Sequence, residues 1–276
     1  MLRPVCPHSN CGQTGRVSHF THARQGAYMQ VHVSDLRQGY SGRVVLEGLD
    51  LELRPGVTGL LGPNGAGKST LMRTLATVQP PLRGRVALDG VTIEGEKAAR
   101  HIRRRIGYLP QRFGWDPGMR VRDFVEYAAW MREVPGKLRP SAVARALSQV
   151  DLADRKQERM SRLSGGMRQR AGIAWAIVGD PDLVILDEPT VGLDPRQRLQ
   201  FRRILAELTD TTVLLSTHLI DDVAAACDRV VVLHSGRVLF HGEVAEMADR
   251  AADGTAGHTP LERAYMELLP DGEREL

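Results

Sequence analysis

The sequence is poor in several residue types, and each scarcity excludes something. Cysteine occurs only at positions 6, 11 and 227 of 276. Three cysteines cannot build a disulfide scaffold, so a reducing compartment is expected. Lysine occurs only at 68, 97, 137 and 156, which leaves the basic charge almost entirely to arginine. Asparagine occurs only at 10 and 64. The longest apolar run without a charge covers about residues 171–179. A membrane-crossing helix needs roughly 18–20 such residues, so none is expected. Met1–Cys6 carries Arg, Pro and Cys in place of an apolar stretch, so no signal peptide is expected either.

What is present describes an ordinary folded chain. Hydrophobic residues make up 42%, too many for bulk disorder. The formal charge of +4, from 37 basic and 33 acidic side chains, points only weakly to nucleic acid or anionic lipid; a solvated surface is the better account of it. Residues 1–28 are polar and aperiodic and predict a flexible extension. Cys6, His8, Cys11, His19 and His22 are metal-capable there, but their spacing matches no strong zinc pattern.

From Met29 the patterning changes. Val31, Val33 and the segment 44–53 alternate apolar and polar residues as strands do, and Arg54-Pro55-Gly56 is a turn. A short buried strand is expected over 57–61, a helix over 68–77, and strands over 84–93 and 106–109. Residues 120–150 show helical spacing broken by Pro135-Gly136 and Pro140, the mark of an inserted helical lobe at about 112–165. Further helices are expected over 165–178, 195–208, 219–226 and 260–269. Leu183-Val184-Ile185-Leu186 is a continuous apolar run, as a central parallel strand covered on both faces requires. Strands are expected at 212–216, 230–233 and 237–241. Cys227 falls in an apolar helical stretch and is expected in the core. The alternation predicts an α/β fold: a phosphate-loop NTPase core with a mostly parallel sheet, an N-terminal antiparallel β subdomain and an inserted α-helical subdomain. The expected division is 1–28, an ATPase domain over 29–241, and a short helical tail over 242–276.

Two motifs carry chemistry. Gly62-Pro63-Asn64-Gly65-Ala66-Gly67-Lys68-Ser69, followed by Thr70, fits the phosphate-loop pattern and lies between a predicted strand and a predicted helix. Glycines turn successive amides toward phosphate oxygens, and the helix N-terminus favours the anion. Lys68 reaches the β- and γ-phosphates, and Ser69 offers a hydroxyl to Mg2+. At the end of the apolar strand stand Asp187, suited to hold Mg2+ through its water shell, and Glu188, suited to polarise an attacking water.

A phosphate loop alone leaves GTPases, kinases, helicases and transport ATPases open. With two asparagines, the guanine-reading Asn-Lys-x-Asp pattern is absent. Leu163-Ser164-Gly165-Gly166-Met167 decides: it resembles the signature sequence of ATP-binding cassette (ABC) proteins, with Met167 in place of the usual Gln. The resemblance covers about Met29 to Leu269. Tyr40 resembles the aromatic that stacks on adenine, Gln111 the Q-loop glutamine near Mg2+, Gly192-Leu193-Asp194 the D-loop, and His218 the switch histidine that senses the γ-phosphate.

The resemblance implies an ATPase subunit of an ABC transporter that binds ATP and Mg2+. Ser164, Gly165 and Gly166 would cap the partner subunit's γ-phosphate in a head-to-tail dimer, whether a homodimer or a pair of related ATPase subunits. Arg112–Glu126 would line the groove for a transmembrane permease subunit on a separate chain. The subunit would lie in the cytoplasm, peripheral on the inner face of the cell membrane, and the short C-terminal region resembles exporter subunits. No nucleic acid partner is expected. The alternative is a soluble non-transport ABC ATPase acting on nucleic acid or ribosomes. The compact lobe between Gln111 and Ser164 leaves no room for the coiled coil of repair types, and one cassette is half of what the ribosomal type carries.

Overall fold

A computed structural model describes residues 29–270 except 41, 253, 254 and 256. The expectations for residues 1–28 lie outside these described residues. The chain opens with strands β1 (Val31–Tyr40), β2 (Arg43–Leu53) and β3 (Gly56–Leu61), then helix α1 (Lys68–Leu75). Strands β4 (Arg83–Leu88) and β5 (Val91–Thr92) and helix α2 (Gly95–Arg103) lead to β6 (Ile106–Leu109). Helices α3 (Val121–Met131), α4 (Arg139–Gln149) and α5 (Gly165–Ile177) precede β7 (Leu183–Asp187). Then follow α6 (Pro195–Glu207), β8 (Thr212–Thr217), α7 (Ile220–Ala226), β9 (Arg229–His234), β10 (Arg237–Glu243), α8 (Val244–Ala248) and α9 (Pro260–Leu268).

Two sheets form. The larger has the order β10-β9-β3-β8-β7-β6, parallel throughout except for β10 at its edge. The smaller, β2-β1-β4-β5, is antiparallel. The apolar run of β7 explains its central place. Val184 and Leu186 enter a core shared with α3, α4, α5 and α6, while Leu183 and Ile185 enter a second core shared with α1 and the antiparallel sheet. Strand alternation therefore feeds both faces, and all four side chains are fully buried. Each contributes roughly 1.5–3 kcal/mol, an upper estimate for burial from an extended chain. A third cluster, with Val230, Val232, Phe240, Met247 and Leu261, seats α8 and α9 against β9 and β10.

The structure departs from the sequence expectations in a few places. Pro140 does not break a helix; it lies in the first turn of α4, where its missing N–H costs nothing. The strand expected over 84–93 divides at Asp89 and Gly90, both with positive φ, into the β4–β5 hairpin. Helix α2 has no counterpart among the sequence expectations: over nine residues it offers only Ala99 and Ile102 to the core. Cys227 is half-buried at the C-cap of α7 and not deep in the core, although it packs on two hydrophobic clusters.

Candidate functional site

The parallel strands end at one edge, and the site is built there. Beyond β3, residues 62–67 wrap into the N-terminus of α1. Gly67 is the N-cap with φ 108°, a left-handed conformation, and a Cβ there would stand 2.5 Å from Leu46 Cδ2. No acidic side chain occupies the first turn of α1, so its free amides keep their field. Lys68 is 5% exposed, and its Nζ donates to the carbonyls of Gly62 at 2.6 Å and Pro63 at 3.1 Å. Burial draws the Lys68 ammonium below its usual range, and the Glu188 and Asp187 charges oppose that shift.

An open cleft of about 780 Å³ faces this loop. Pro63, Asn64, Gly65, Gly67, Lys68, Ser69 and Thr70 line one wall, Gln111 and Glu188 another, and Tyr40 the rim, 40% exposed. Gly62 and Ala66 stand behind the loop. A Cβ on Gly62 would meet the Leu233 carbonyl, and the buried Ala66 accepts the Gly236 N–H through its own carbonyl. The Tyr40 hydroxyl near Arg73 of α1 holds that guanidinium above its ordinary range.

The carboxylates complete the cleft. Asp187 is 2% exposed and accepts from Ser216 Oγ at 2.6 Å. Glu188 adopts φ 50°, which costs a non-glycine residue roughly 1–3 kcal/mol and occurs chiefly where surrounding contacts enforce it. Its N–H donates to the same Ser216 oxygen at 2.8 Å. Its side chain accepts from Gln111 Nε2 at 3.2 Å and lies 3.8 Å from His218 Nδ1. Lys68, Gln111, Asp187, Glu188 and His218 thus come together from four segments of chain. All the oxygen donors expected for Mg2+ are hard ligands: the Ser69 hydroxyl, the Asp187 carboxylate and the Gln111 amide oxygen. With Gln111 Nε2 given to Glu188, its carbonyl oxygen is left as an acceptor. The set fits that cation.

Ser164, Gly165, Gly166 and Asp194 do not line this cleft. Ser164 caps α5 by accepting the Met167 N–H at 3.3 Å, and the first turn of α5 is free of acidic side chains. Gly165 is open, whereas Gly166 is closed in: a Cβ there would lie 2.2 Å from Gln197 Oε1. Asp194 forms a capping box at the start of α6, accepting from Gln197 N at 2.8 Å while Gln197 Oε1 accepts from Asp194 N at 3.3 Å. Its carboxylate is committed to that helix.

Sequence reasoning missed several residues. Arg43, Val44, Val45 and Ser235 line the cleft, and Arg43 carried the one visible signal, a basic residue close to Tyr40. Ser216 carried none beyond its place two residues before His218.

A second cavity, of about 420 Å³, lies between β6 and the helices. Phe113, Phe124 and Trp175 form its aromatic floor, with Phe124 and Trp175 centroids 4.7 Å apart, and Arg112 stands at its wall. Arg132 donates there to the carbonyls of Ile106, Trp175 and Val178. Among the described residues no helix is long and apolar enough to cross a membrane.

The family described as ABC transporter matches residues 46–191. The chain is 40% identical over 252 residues to the daunorubicin/doxorubicin resistance ATP-binding protein DrrA of Streptomyces peucetius, covering 88% of this chain and 75% of that protein. It is 34% identical over 215 residues to the Nod factor export ATP-binding protein I of Burkholderia pseudomallei, covering 77% of this chain and 70% of that protein. A solved structure described as the ATP binding subunit of an ABC transporter superposes with a TM-score of 0.76 at 28% identity, covering 87% of this chain and 99% of that one.

Proposed function

The chain belongs to the ABC transporter family, and from that premise we propose how its residues use ATP. It is an ATP-binding and ATP-hydrolysing subunit that powers transport through a separate membrane-spanning partner. In our reading the loop amides of residues 62–69 and the Lys68 ammonium hold the β- and γ-phosphates, and Tyr40 stacks on the adenine. Glu188 accepts a proton from the attacking water. Gln111 holds that carboxylate in place, and His218 donates to the γ-phosphate. Lys68 and the amides stabilise the charge that develops on the transferred group. Ser69, Asp187 and Gln111 would hold Mg2+, which when bound neutralises phosphate charge.

The observation that carries this reading is the convergence of Lys68, Gln111, Glu188 and His218 on one cleft at the edge of the parallel sheet. The α5 terminus at Ser164 and Gly165 is not among the residues that line that cleft, so in our reading a second ATPase subunit supplies the phosphate it would cap. We therefore assign a head-to-tail dimer closing on two nucleotides. In our reading the aromatic groove beside Arg112 receives the membrane partner, and the subunit lies on the inner face of the membrane. Two relatives bear names of export and drug resistance, which supports export as the direction.

The test is to find a polytopic membrane protein in a neighbouring reading frame and to co-express it with this chain. ATP-dependent dimerisation, co-purification and partner-stimulated hydrolysis are expected. A protein that neither hydrolyses ATP nor associates with that partner would overturn the reading.

A further inference from the structure

Strands β7 and β8 are parallel neighbours, and their register sets Asp187 opposite Ser216. Ser216 is fully buried. A serine hydroxyl has one proton to give and lone pairs to receive. Here the proton goes to Asp187 Oδ1 at 2.6 Å, and the oxygen receives the Glu188 N–H at 2.8 Å. That N–H belongs to a residue with φ 50°, a conformation that needs support from outside its own strand. Two residues further along the chain, His218 reaches to 3.8 Å from Glu188 Oε1. One hydroxyl therefore joins the candidate metal ligand, the backbone of the candidate base and the strand that carries the candidate sensor.

We propose that Ser216 is a positioning residue for ATP hydrolysis, holding the Asp187 carboxylate and the Glu188 backbone as one unit. It touches neither substrate nor metal and acts through the two acids. The inference rests on the reading of the cleft given above. A serine kept only for its size would tolerate alanine. A serine kept for these bonds would not, because its loss strands a carboxylate oxygen and an N–H where water is scarce.

The test compares Ser216→Ala, Ser216→Thr and Ser216→Cys in the full chain. The readouts are kcat and KM for ATP, and the affinity for a fluorescent ATP analogue with Mg2+ and with EDTA. Ser216→Ala is expected to lower kcat about tenfold, the scale of one hydrogen bond to a charged group. Its analogue affinity in EDTA should stay within about twofold, while the gain in affinity conferred by Mg2+ shrinks. Ser216→Thr keeps the hydroxyl and should restore both quantities to within about threefold. Ser216→Cys fills the space with a weak donor, should behave as alanine does, and replaces it if the alanine variant does not fold. Unchanged kcat and Mg2+ dependence in the alanine or cysteine variant overturns the proposal. So does a threonine variant as impaired as alanine, or an EDTA affinity that falls in step with kcat. A wild-type chain without hydrolysis is a distinguishable result: it overturns the reading of the cleft, and the role of Ser216 in hydrolysis falls with it.

Discussion

Gln111 donates from Nε2 to Glu188 Oε2 at 3.2 Å, and the two residues follow the ends of neighbouring parallel strands, β6 and β7. The bond fixes the carboxylate that is proposed to take the proton from water. An amide at 188 keeps the shape and still accepts from Gln111 through its oxygen, but it is no base. Glu188→Gln is therefore expected to bind ATP normally and to hydrolyse it roughly 10²–10⁴-fold more slowly, the usual span of general-base catalysis. Single-turnover hydrolysis beside analogue binding checks both halves. Wild-type turnover would remove Glu188 from the mechanism.

Lys68 occupies an electrostatically uncomfortable place, buried against two carbonyls with its ammonium drawn down by desolvation. Bound phosphates would supply the counter-charge that Glu188 and Asp187 give only in part. Lys68→Ala is expected to abolish measurable ATP binding while the chain stays folded, as circular dichroism would report. Retained affinity in the alanine variant would show that the amides suffice.

Much of this site is legible in the sequence, for physical reasons. A phosphate loop must be contiguous, because one strand-to-helix turn supplies every amide, so residues 62–69 stand out in a row. The run 183–186 declares a doubly covered strand, and the acids must follow at its end. Helix starts at Asp194-Pro195 and Thr259-Pro260 are marked by capping residues and realised as capping boxes. What is not legible depends on register between strands distant in sequence. Nothing near Ser216 says that it faces Asp187, and nothing near Gly166 says that Gln197 covers it. The helix α2 is hidden for a different reason: it is short and strongly polar, and its apolar face is only Ala99 and Ile102 over nine residues.

The contact between Gly166 and Gln197 gives a coupled prediction. A methyl group at 166 would lie 2.2 Å from Gln197 Oε1, and that side chain can swing away. Swinging away breaks its bond with the Asp194 N–H and opens the capping box of α6. Gly166→Ala should then cost about 1 kcal/mol, the worth of a cap, or about 2–4 °C in Tm. Gln197→Ala should cost a similar amount, and the double variant less than the sum. Thermal melts of the four proteins decide it; full additivity would mean that the two residues do not act on each other.

Arg132 ties the helical layer to the sheet. It stands at the C-cap of α3 and donates to the Trp175 and Val178 carbonyls near the end of α5 and to Ile106 of β6. A cation at a helix C-terminus is favourable, and these carbonyls have no helical partner of their own. Burial draws the guanidinium down to about 10, which leaves it charged at neutral pH. Arg132→Met keeps the packing stem and strands the carbonyls, so a loss of about 2–4 kcal/mol is expected. Arg132→Lys should recover only part of it, since an ammonium lacks the planar fork that reaches several acceptors. Urea unfolding of the three proteins measures the difference, and an unchanged midpoint for methionine would show the bonds to be neutral.

Cys227 gives the clearest pH dependence. Burial, and after it the charges of Asp228 and Asp222, push its thiol up to about 12 from an ordinary 9.0. The thiolate is the reactive species, so native Cys227 should react with iodoacetamide roughly 10³-fold more slowly at pH 8 than the same thiol in urea. The rate should climb about tenfold per pH unit without levelling below pH 11. The sign for stability follows from the same shift. The folded state prefers the protonated thiol, so this contribution is whole below pH 9 and is lost as pH rises from about 9 to about 12. Peptide mapping of timed alkylation at position 227 reads the rate. A plateau near pH 9 would mean that the thiol is solvated and that the wall formed by α7 against Gly59 opens freely.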